Sequence, residues 1–359
     1  MAPVFSVPGG ILNSDATWAR EKRTAVMQHR PQGPTRVTVL DDYQSVAHSM
    51  AGWRDTGHEL EVTFVQTHID DDDGLLDLLK DTDIVLAMRE RTPLRAELIA
   101  RLPRLELIVT TGMQNASIDM DAGPMVCGTP SLTSPTAELT WALITGLMRN
   151  VPAEAASLRA GNWQRPVPGL GEGLEGSTLA ILGLGRLGSR VASIGKAFGM
   201  QVIAWSQNLT EETALANGVE RVSKAELFRR ADVLSIHLRL SGRTESLVGE
   251  PELRSMKPTA RLINTSRAGI VDQRALLHAL HRGWIAGAGL DVFDTEPLPG
   301  GHPLLSAPNT LLTPHLGYVT RQNYEVFYGG AVEAITGYLN GAPVRVLDSG
   351  TRAARATQG

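Results

Sequence analysis

Residues 178–188 read TLAILGLGRLG, and this stretch decides the fold. The apolar run 178–182 has the length and composition of a buried strand. Gly183, Gly185 and Gly188 follow it in the G-x-G-x-x-G spacing, at the mouth of a helical pattern. The first glycine permits a tight turn, the second lets the backbone approach a pyrophosphate, and the third lets helix and strand pack closely. Strand, turn and helix in this order predict a dinucleotide-binding unit rather than a turn without a ligand.

Strand and helix patterns alternate on both sides of this stretch. Strand patterns lie at 36–41, 60–66, 83–88, 105–110, 201–206, 232–237, 261–265, 286–292 and 310–313. Helical patterns lie at 43–53, 74–80, 94–102, 137–149, 186–198, 224–230, 273–282 and 321–339. Strands that alternate with helices of this length form parallel sheets with helices on both faces. We therefore predict the α/β class, with two doubly wound parallel-sheet domains.

Length and composition predict where the domains begin and end. A chain of 359 residues is long enough for two domains at about 150 residues each. The stretch 129–135, TPSLTSP, separates the two alternating series. We expect the last helix to pack back on the first domain. The prediction is a weakly ordered leader (1–34), a discontinuous first domain (35–130 and 318–346), a dinucleotide-binding domain (131–317) and a tail (347–359).

Charge and hydropathy exclude several classes of partner. Acidic residues outnumber basic ones by 38 to 34, which gives a net charge of −4. This charge provides no overall electrostatic attraction to nucleic acid or to an anionic membrane. No apolar run approaches the roughly 20 residues of a membrane-spanning helix, and no secretory signal is visible. We expect a cytoplasmic protein. The single cysteine, Cys127, is expected to be a buried, inert thiol. The acidic run Asp70–Asp73 is expected to begin a helix rather than to bind calcium, and no metal site is expected.

Three polar residues follow strand ends in the second series, where ligands bind in open α/β folds. Arg267 lies in INTSRAG, Glu296 in DVFDTEP and His315 in LTPHLGY. A guanidinium offers a planar fork to a carboxylate, and an imidazole can exchange a proton near neutral pH. A neighbouring carboxylate would orient that imidazole. Each residue alone has an ordinary structural explanation, but together, behind a nucleotide fingerprint, they indicate catalysis.

The chain resembles the D-isomer-specific 2-hydroxyacid dehydrogenase family, which includes phosphoglycerate dehydrogenases and glyoxylate/hydroxypyruvate reductases. The resemblance covers residues 36–346 and is most specific in GLGRLG, MKPTARLINTSRAGIVD (256–272), GLDVFDTEP and TPHLGY. It implies a Rossmann nucleotide-binding domain inserted into a flavodoxin-like substrate domain, a hinged cleft and a homodimer. It also implies reversible hydride transfer between a nicotinamide and a 2-oxo acid. In that reaction Arg267 orients the substrate, His315 exchanges the proton and Glu296 supports His315.

The resemblance also implies which residues contact the cofactor and the substrate. Expected cofactor contacts are Gly183, Gly185, Arg186, Leu187, Gly188, Ser206, His237, Thr265, Asp291 and Gly317. Expected substrate contacts are Arg89, Thr111, Gly112, Met113, Asn115 and Arg267, with backbone N–H groups of the 111–115 loop receiving the carboxylate. The strand before Ser206 ends with neither the acidic residue that binds the ribose of NAD nor a basic residue for NADP. The cofactor is therefore NAD or NADP, and the family resemblance favours NAD.

Two other functions remain open from the sequence. Arg89 and Arg91 could bind a phosphate, which would favour 3-phosphoglycerate oxidation, although Glu90 between them is equally compatible with ordinary surface charge. The segment TSPTAE, 133–138, lacks the asparagine that the family has there, so the pocket chemistry is expected to differ. A dinucleotide-sensing protein like the related corepressors is a further alternative, in which nucleotide binds without turnover. The expected partner is a small 2-oxo or 2-hydroxy acid.

Overall fold

The computed structural model describes residues 33–164 and 169–347. Almost all of the predicted leader and of the tail lies outside these residues. The chain divides into two compact units. The first comprises the described residues up to Ser131 and from Tyr324 onward, and the second runs from Leu132 to Asn323. Each unit contains one sheet with helices packed on it, so the predicted α/β class with two parallel-sheet domains is confirmed.

The first unit is built on a six-stranded sheet with the order β13-β5-β4-β3-β1-β2. Its strands are β1 Thr35–Val39, β2 Leu60–Phe64, β3 Ile84–Ala87, β4 Leu107–Thr110, β5 Met125–Gly128 and β13 Val346–Leu347. All pairs are parallel except β13 with β5. Its helices are α1 Asp72–Leu79, α2 Ala96–Ile99 and most of α10, Arg321–Leu339. The strands β3 and β4 are buried along their whole length, as expected for central strands of a parallel sheet.

The helix predicted at 43–53 is wrong. The structure has only a short 3-10 turn, Ala47–Ser49, in this segment. The buried carboxylate of Asp42 accepts hydrogen bonds from the backbone N–H groups of Val46 and Ala47, both at 3.1 Å. The indole of Trp53 donates to the carbonyl of Ala47 at 2.8 Å. Side chains therefore take the backbone groups that a helix would use, and a compact loop forms instead.

Cys127 is buried and the acidic run begins a helix, as the sequence predicted. Cys127 lies in β5 and is fully buried, and burial raises the pKa of its thiol to about 12. Asp71 caps α1, because its carboxylate accepts a hydrogen bond from the N–H of Gly74 at 2.7 Å. Strand β5, whose four residues read MVCG, was not predicted.

The second unit is built on a seven-stranded parallel sheet with the order β12-β11-β10-β9-β6-β7-β8. Its strands are β6 Thr178–Leu182, β7 Gln201–Trp205, β8 Glu220–Arg221, β9 Val233–Ile236, β10 Arg261–Asn264, β11 Gly287–Leu290 and β12 Thr310–Leu312. Its helices are α3 Ser134–Met148, α4 Val151–Arg159, α5 Arg186–Ala197, α6 Glu211–Ala216, α7 Lys224–Arg230, α8 Glu250–Ser255 and α9 Gln273–Arg282. Helices α4, α6 and α8 were not predicted.

Neighbouring strands of this sheet end side by side, which positions the loops that follow them. Asn264 at the end of β10 pairs with Leu290 at the end of β11, and Leu290 pairs with Leu312 at the end of β12. The loops after these strands therefore emerge at one edge of the sheet. The glycine turn after β6 emerges at the same edge, because Leu182 pairs with Ile236 of β9.

Within residues 33–164 and 169–347, no helix combines the length and the apolar character that crossing a bilayer requires.

Candidate active site

The glycine turn after β6 has the backbone geometry that the sequence predicted. Gly183 has a φ of +105°, and a Cβ at this position would lie 2.9 Å from the carbonyl carbon and oxygen of His237. A Cβ on Gly188 would lie 2.1 Å from the carbonyl oxygen of Gly183, so helix α5 and the turn pack too closely for any side chain. Gly185 differs, because a Cβ there would meet no atom of the described residues within 4 Å.

The open space at Gly185 fits a bound pyrophosphate. Gly185 is the N-cap of α5 and makes no side-chain capping bond, and it is solvent-exposed, as is the next residue, Arg186. Leu187, half-buried, completes the first turn of the helix. The first N–H groups of a helix have no intrahelical partner and carry the positive end of the helix dipole. These residues can therefore hold the phosphates of a dinucleotide without a change of backbone.

The residue after β7 would face the ribose. Ser206 is half-buried, and its carbonyl accepts a hydrogen bond from the N–H of Leu209 at 3.2 Å, which closes a turn. Arg221 holds the same turn from β8, because its Nε donates to the carbonyl of Leu209 at 2.8 Å. Its Nη1 lies 3.8 Å from the carboxylate of Glu211. The turn thus presents a hydroxyl at the strand end, with a guanidinium fixed behind it.

His237 supports the glycine turn as a neutral ring. Its backbone carbonyl is the group that excludes a side chain at Gly183. Its Nε2 lies 2.8 Å from the hydroxyl of Ser235, while its Nδ1 is buried and has no hydrogen-bond partner among the described residues. Burial lowers the pKa of His237 to about 3, so the imidazole is uncharged at neutral pH.

His315 and Glu296 form a hydrogen-bonded pair. The Nδ1 of His315 lies 2.6 Å from Oε2 of Glu296, and both side chains are partly exposed. The other carboxylate oxygen of Glu296 accepts a hydrogen bond from the N–H of Phe293 at 2.9 Å. The Glu296 side chain is therefore fixed at both oxygens. With Nδ1 engaged, Nε2 is the ring nitrogen that can exchange a proton with another molecule.

Asp291 builds the turn that carries His315. This residue is fully buried. Its Oδ1 accepts hydrogen bonds from the hydroxyl of Thr313 at 2.6 Å and the N–H of Leu316 at 2.7 Å, and its Oδ2 accepts one from the N–H of Gly317 at 2.8 Å. Burial raises the pKa of Asp291, and these hydrogen bonds and His315 oppose the shift. His315 itself has a φ of +53°, a conformation that a non-glycine residue holds only when its surroundings enforce it.

Arg267 and Thr265 follow β10 at the same edge. The side chain of Asn264 accepts from the N–H of Ser266 at 3.0 Å and donates to the carbonyl of Arg267 at 2.9 Å, which fixes the backbone here. The Nη1 of Arg267 donates to the carbonyl of Ser266 at 2.8 Å. Thr265 is buried, and its hydroxyl lies 2.8 Å from that of Thr140 on α3. Thr265 is therefore engaged within the unit.

Gly317 links the His315 turn to α3 of the same unit. Its carbonyl accepts a hydrogen bond from the hydroxyl of Thr136 at 2.9 Å. Thr136 belongs to the TSPTAE segment that lacks the family asparagine, so this segment has a structural contact of its own. A Cβ on Gly317 would lie 3.1 Å from Oδ2 of Asp291, so a side chain there would press against that carboxylate.

The predicted substrate residues of the first unit lie in two adjoining loops, after β3 and β4. Arg89 has a φ of +55°, and its N–H donates to the hydroxyl of Thr111 at 2.8 Å. Its Nη1 donates to the carbonyl of Thr111 at 3.1 Å, and lies 2.2 Å from where a Cβ on Gly112 would be. A side chain at position 112 would therefore displace the Arg89 guanidinium from this contact. Met113, next in the loop, is half-buried.

Several groups expected to receive the substrate carboxylate are already engaged. The N–H of Thr111 donates to the carbonyl of Ala87 at 3.1 Å, and the N–H of Gly112 donates to the hydroxyl of Thr129 at 2.8 Å. The amide of Asn115 is buried, donates to Thr110 and to the carbonyl of Arg89, and accepts from Ser117. These contacts make Asn115 a residue that holds the two loops together. The Arg89 guanidinium, hydrogen-bonded to the carbonyl of Thr111, lies in the same pair of loops.

Comparison with known proteins agrees with the sequence motifs. The family described as D-isomer specific 2-hydroxyacid dehydrogenase, NAD binding domain, matches residues 141–317. The glyoxylate reductase of Aeropyrum pernix is 45% identical over 237 residues, which are 63% of this chain and 71% of that protein. The D-3-phosphoglycerate dehydrogenase of Methanocaldococcus jannaschii is 38% identical over 254 residues, 69% of this chain but 48% of that protein. A crystal structure of a phosphoglycerate oxidoreductase from Vibrio cholerae superposes with a TM-score of 0.81 at 37% identity, covering 86% of this chain and 100% of that chain.

Proposed function

The chain belongs to the D-isomer specific 2-hydroxyacid dehydrogenase family, and from that premise we propose that His315 exchanges the proton in its reaction. The protein is an oxidoreductase that interconverts a 2-hydroxy acid and a 2-oxo acid with a nicotinamide dinucleotide. The observation that carries the proposal is the 2.6 Å contact between Nδ1 of His315 and Oε2 of Glu296. This contact leaves Nε2 to face the substrate oxygen.

Each residue of the site has a distinct part in the proposed reaction. The bound dinucleotide supplies or accepts the hydride. In the reducing direction, Nε2 of His315 donates a proton to the substrate oxygen as it becomes an alkoxide, and Glu296 keeps the ring in place while its charge changes. The guanidinium of Arg267 binds the substrate carboxylate and aligns the carbon that is reduced. Neutral His237 and the glycines hold the turn that binds the phosphates.

The test is turnover of small 2-oxo acids by the wild-type chain and by two variants. Oxidation of NADH and NADPH is followed with glyoxylate, hydroxypyruvate, phosphohydroxypyruvate and phenylpyruvate. A positioned general acid contributes about 10²–10⁴-fold, so His315→Gln is expected to lose that much kcat. Arg267→Gln is expected to lose kcat/KM by at least about 10²-fold, since it removes a bidentate charged contact. His281→Gln, at an exposed histidine of the same unit, is the matched control. Turnover by His315→Gln equal to that of the control would overturn the proposal.

We propose a small 2-oxo acid such as glyoxylate or hydroxypyruvate as the substrate. The identity with glyoxylate reductases covers most of those proteins, whereas the match to the phosphoglycerate dehydrogenase covers about half of it. Phosphoglycerate remains the second candidate, because Arg89 and Arg91 lie on one loop of the first unit. A comparison of hydroxypyruvate with phosphohydroxypyruvate separates the two, since the substrates differ only by the phosphate. A dinucleotide-sensing protein would bind NADH and give no turnover with any acid in the panel.

We propose NAD(H) as the preferred cofactor, with NADP(H) accepted. The family description names NAD, and Ser206 offers a hydroxyl rather than a carboxylate that would repel a 2′-phosphate. The experiment compares kcat/KM for NADH and NADPH in the wild type and in Ser206→Asp. A carboxylate at this position should lower kcat/KM with NADPH by at least about tenfold and leave that with NADH near its original value. Equal loss with both cofactors would show that position 206 does not face the ribose.

We propose that two copies associate through an exposed apolar surface around α4, which we define by Val151, Leu158, Trp163 and Leu170. Helix α4 buries none of its residues, and these four side chains are 53%, 57%, 77% and 91% exposed. Apolar surface of this kind marks an interaction site. Sedimentation should report a dimer for the wild type and a monomer for Trp163→Glu. Leu215→Glu, equally exposed on α6 at 78%, should stay dimeric. A monomeric wild type would refute the proposal.

A further inference from the structure

Asp41 is a buried carboxylate to which three loops of the first unit are attached. It follows β1 and is 2% exposed. Its Oδ1 lies 3.0 Å from Nδ1 of His68, in the loop after β2. Its Oδ2 accepts a hydrogen bond from the hydroxyl of Thr92 at 2.7 Å, and its backbone carbonyl accepts one from Nη1 of Arg91 at 3.0 Å. Thr92 and Arg91 both lie in the loop after β3.

The backbone at Asp41 is held in an unfavourable conformation. Its φ is +58°, in the left-handed region that favours glycine. A charged side chain buried at a strained position persists only where its surroundings satisfy it and fix it, and such positions cluster at functional sites. The next residue, Asp42, is equally buried, and its carboxylate accepts hydrogen bonds from the N–H groups of Val46 and Ala47, within its own loop. The two neighbouring carboxylates therefore have different structural tasks.

Contacts continue from Asp41 to the loop after β4. The Arg91 guanidinium lies over the ring of Tyr43, 4.3 Å from its centroid, so Arg91 is held from two sides by residues of the β1 loop. Two residues earlier, Arg89 bonds to Thr111 through both its backbone and its side chain. A shift of the β3 loop would therefore move the Arg89 guanidinium above Gly112. This guanidinium is one of the substrate contacts that the sequence predicts.

We infer that Asp41 is a positioning residue for the 2-oxo acid: it fixes the β3 loop, and with it Arg89 and Arg91, at the substrate side of the first unit. This inference rests on the proposed function, because it assumes that the acid binds at this edge of the sheet. Asp41 belongs to the first unit, whereas the glycine turn that would bind the dinucleotide belongs to the second. Loss of Asp41 should therefore change the KM of the acid and leave the affinity for the dinucleotide as it is.

The experiment measures steady-state kinetics and cofactor affinity for Asp41→Asn. An amide keeps the shape of the side chain but removes its charge and places an NH₂ group where one acceptor oxygen was, so the hydrogen bond to His68 or to Thr92 is weakened or must reverse its direction. We expect the KM of the acid to rise at least tenfold, kcat to change less than threefold, and the Kd of NADH, from fluorescence quenching, to change less than twofold. Asp42→Asn is the matched control, for which we expect a KM within threefold of the wild type.

A milder pair of variants keeps the inference testable if Asp41→Asn does not fold. Thr92→Val removes a single hydrogen bond to Asp41 and should raise the KM three- to fivefold. Thr92→Ser keeps the hydroxyl and should have the KM of the wild type. An unchanged KM in both Asp41→Asn and Thr92→Val, or a rise in the Asp42→Asn control as large as in Asp41→Asn, would overturn the inference. A different result would contradict the proposed function, namely no turnover by the wild type or equal turnover by the wild type and His315→Gln.

Discussion

The turn that carries His315 depends on one buried carboxylate, and Asp291→Asn tests this dependence. The substitution keeps the size of the side chain and removes its charge. Asp291 accepts three hydrogen bonds, two at Oδ1 and one at Oδ2. An amide has a single acceptor oxygen. In either orientation of the amide, its NH₂ group therefore faces a backbone N–H, from Leu316 or from Gly317, and that N–H loses its partner.

The cost of this change follows from the contacts. A buried donor without a partner costs about 1–3 kcal/mol, and hydrogen bonds to a neutral oxygen are weaker than those to a carboxylate by about 1 kcal/mol. Relief of the buried charge offsets part of this, so we expect the free energy of unfolding to fall by about 2–4 kcal/mol. The turn also holds His315 at a φ of +53°. Once released, a displacement of the imidazole by about 1 Å would lower kcat roughly 10²-fold.

Urea unfolding, kcat with the best 2-oxo acid and the Kd of NADH are measured on the same preparations. Thr313→Val is the control, since it removes only the hydroxyl that donates to Oδ1 and leaves both backbone contacts of Asp291. We expect it to lose about 1 kcal/mol of unfolding free energy and less than fivefold in kcat. If Asp291→Asn lost stability as calculated but kept kcat within threefold, Asp291 would not determine the position of His315, and the reasoning would be refuted.

Three further predictions concern the second unit's glycine turn, His237 and Cys127. Gly185→Ala should leave the melting temperature within about 1 °C, because the added Cβ would meet no atom within 4 Å in the part of the chain that the structure describes. It should nevertheless raise the Kd of NADH at least about tenfold. Unchanged affinity would mean that no pyrophosphate approaches this residue. The pKa of His237 is about 3 in the folded chain and near 6.5 in the unfolded chain. Neutral His237 therefore contributes its full stability above pH 6.5, and this contribution is lost as the pH falls. Between pH 7 and pH 5 the free energy of unfolding should decrease by at most about 2 kcal/mol for this reason. His237→Gln should remove this part of the pH dependence in urea unfolding, and parallel curves for both proteins would contradict it. Cys127, with a pKa of about 12, should react with iodoacetamide at pH 8 only after unfolding, and mass spectrometry of the native protein would reveal any modification.

The fold could be predicted from the sequence where local pattern and tertiary structure agree. Every strand of four or more residues was predicted apart from β5, and the two-residue strands β8 and β13 were not predicted. Buried parallel strands are rich in the apolar residues that make them recognisable. The segment 43–53 failed for a definite reason. Its apolar residues Val46, Met50 and Trp53 have helical spacing, but Asp42 hydrogen-bonds the backbone and a loop forms. The spacing of apolar side chains predicts which face of a segment is buried. It does not predict that a carboxylate will accept hydrogen bonds from the backbone N–H groups.

In the site, the sequence likewise predicted which residues are involved but not what each residue does. The motifs indicated Asp291 and Asn115 as site residues through the family resemblance, and His315 through its place after a strand end as well. They could not show that Asp291 holds the turn that carries His315, or that the amide of Asn115 is hydrogen-bonded within the two loops. Both facts depend on backbone groups that only folding brings together. The sequence carried a signal for Asp41 as well, because the pair Asp41 and Asp42 follows β1 at that edge. A polar residue at a strand end is thus a candidate either to meet the ligand or to hold the residues that do, and only its hydrogen-bond partners separate the two roles.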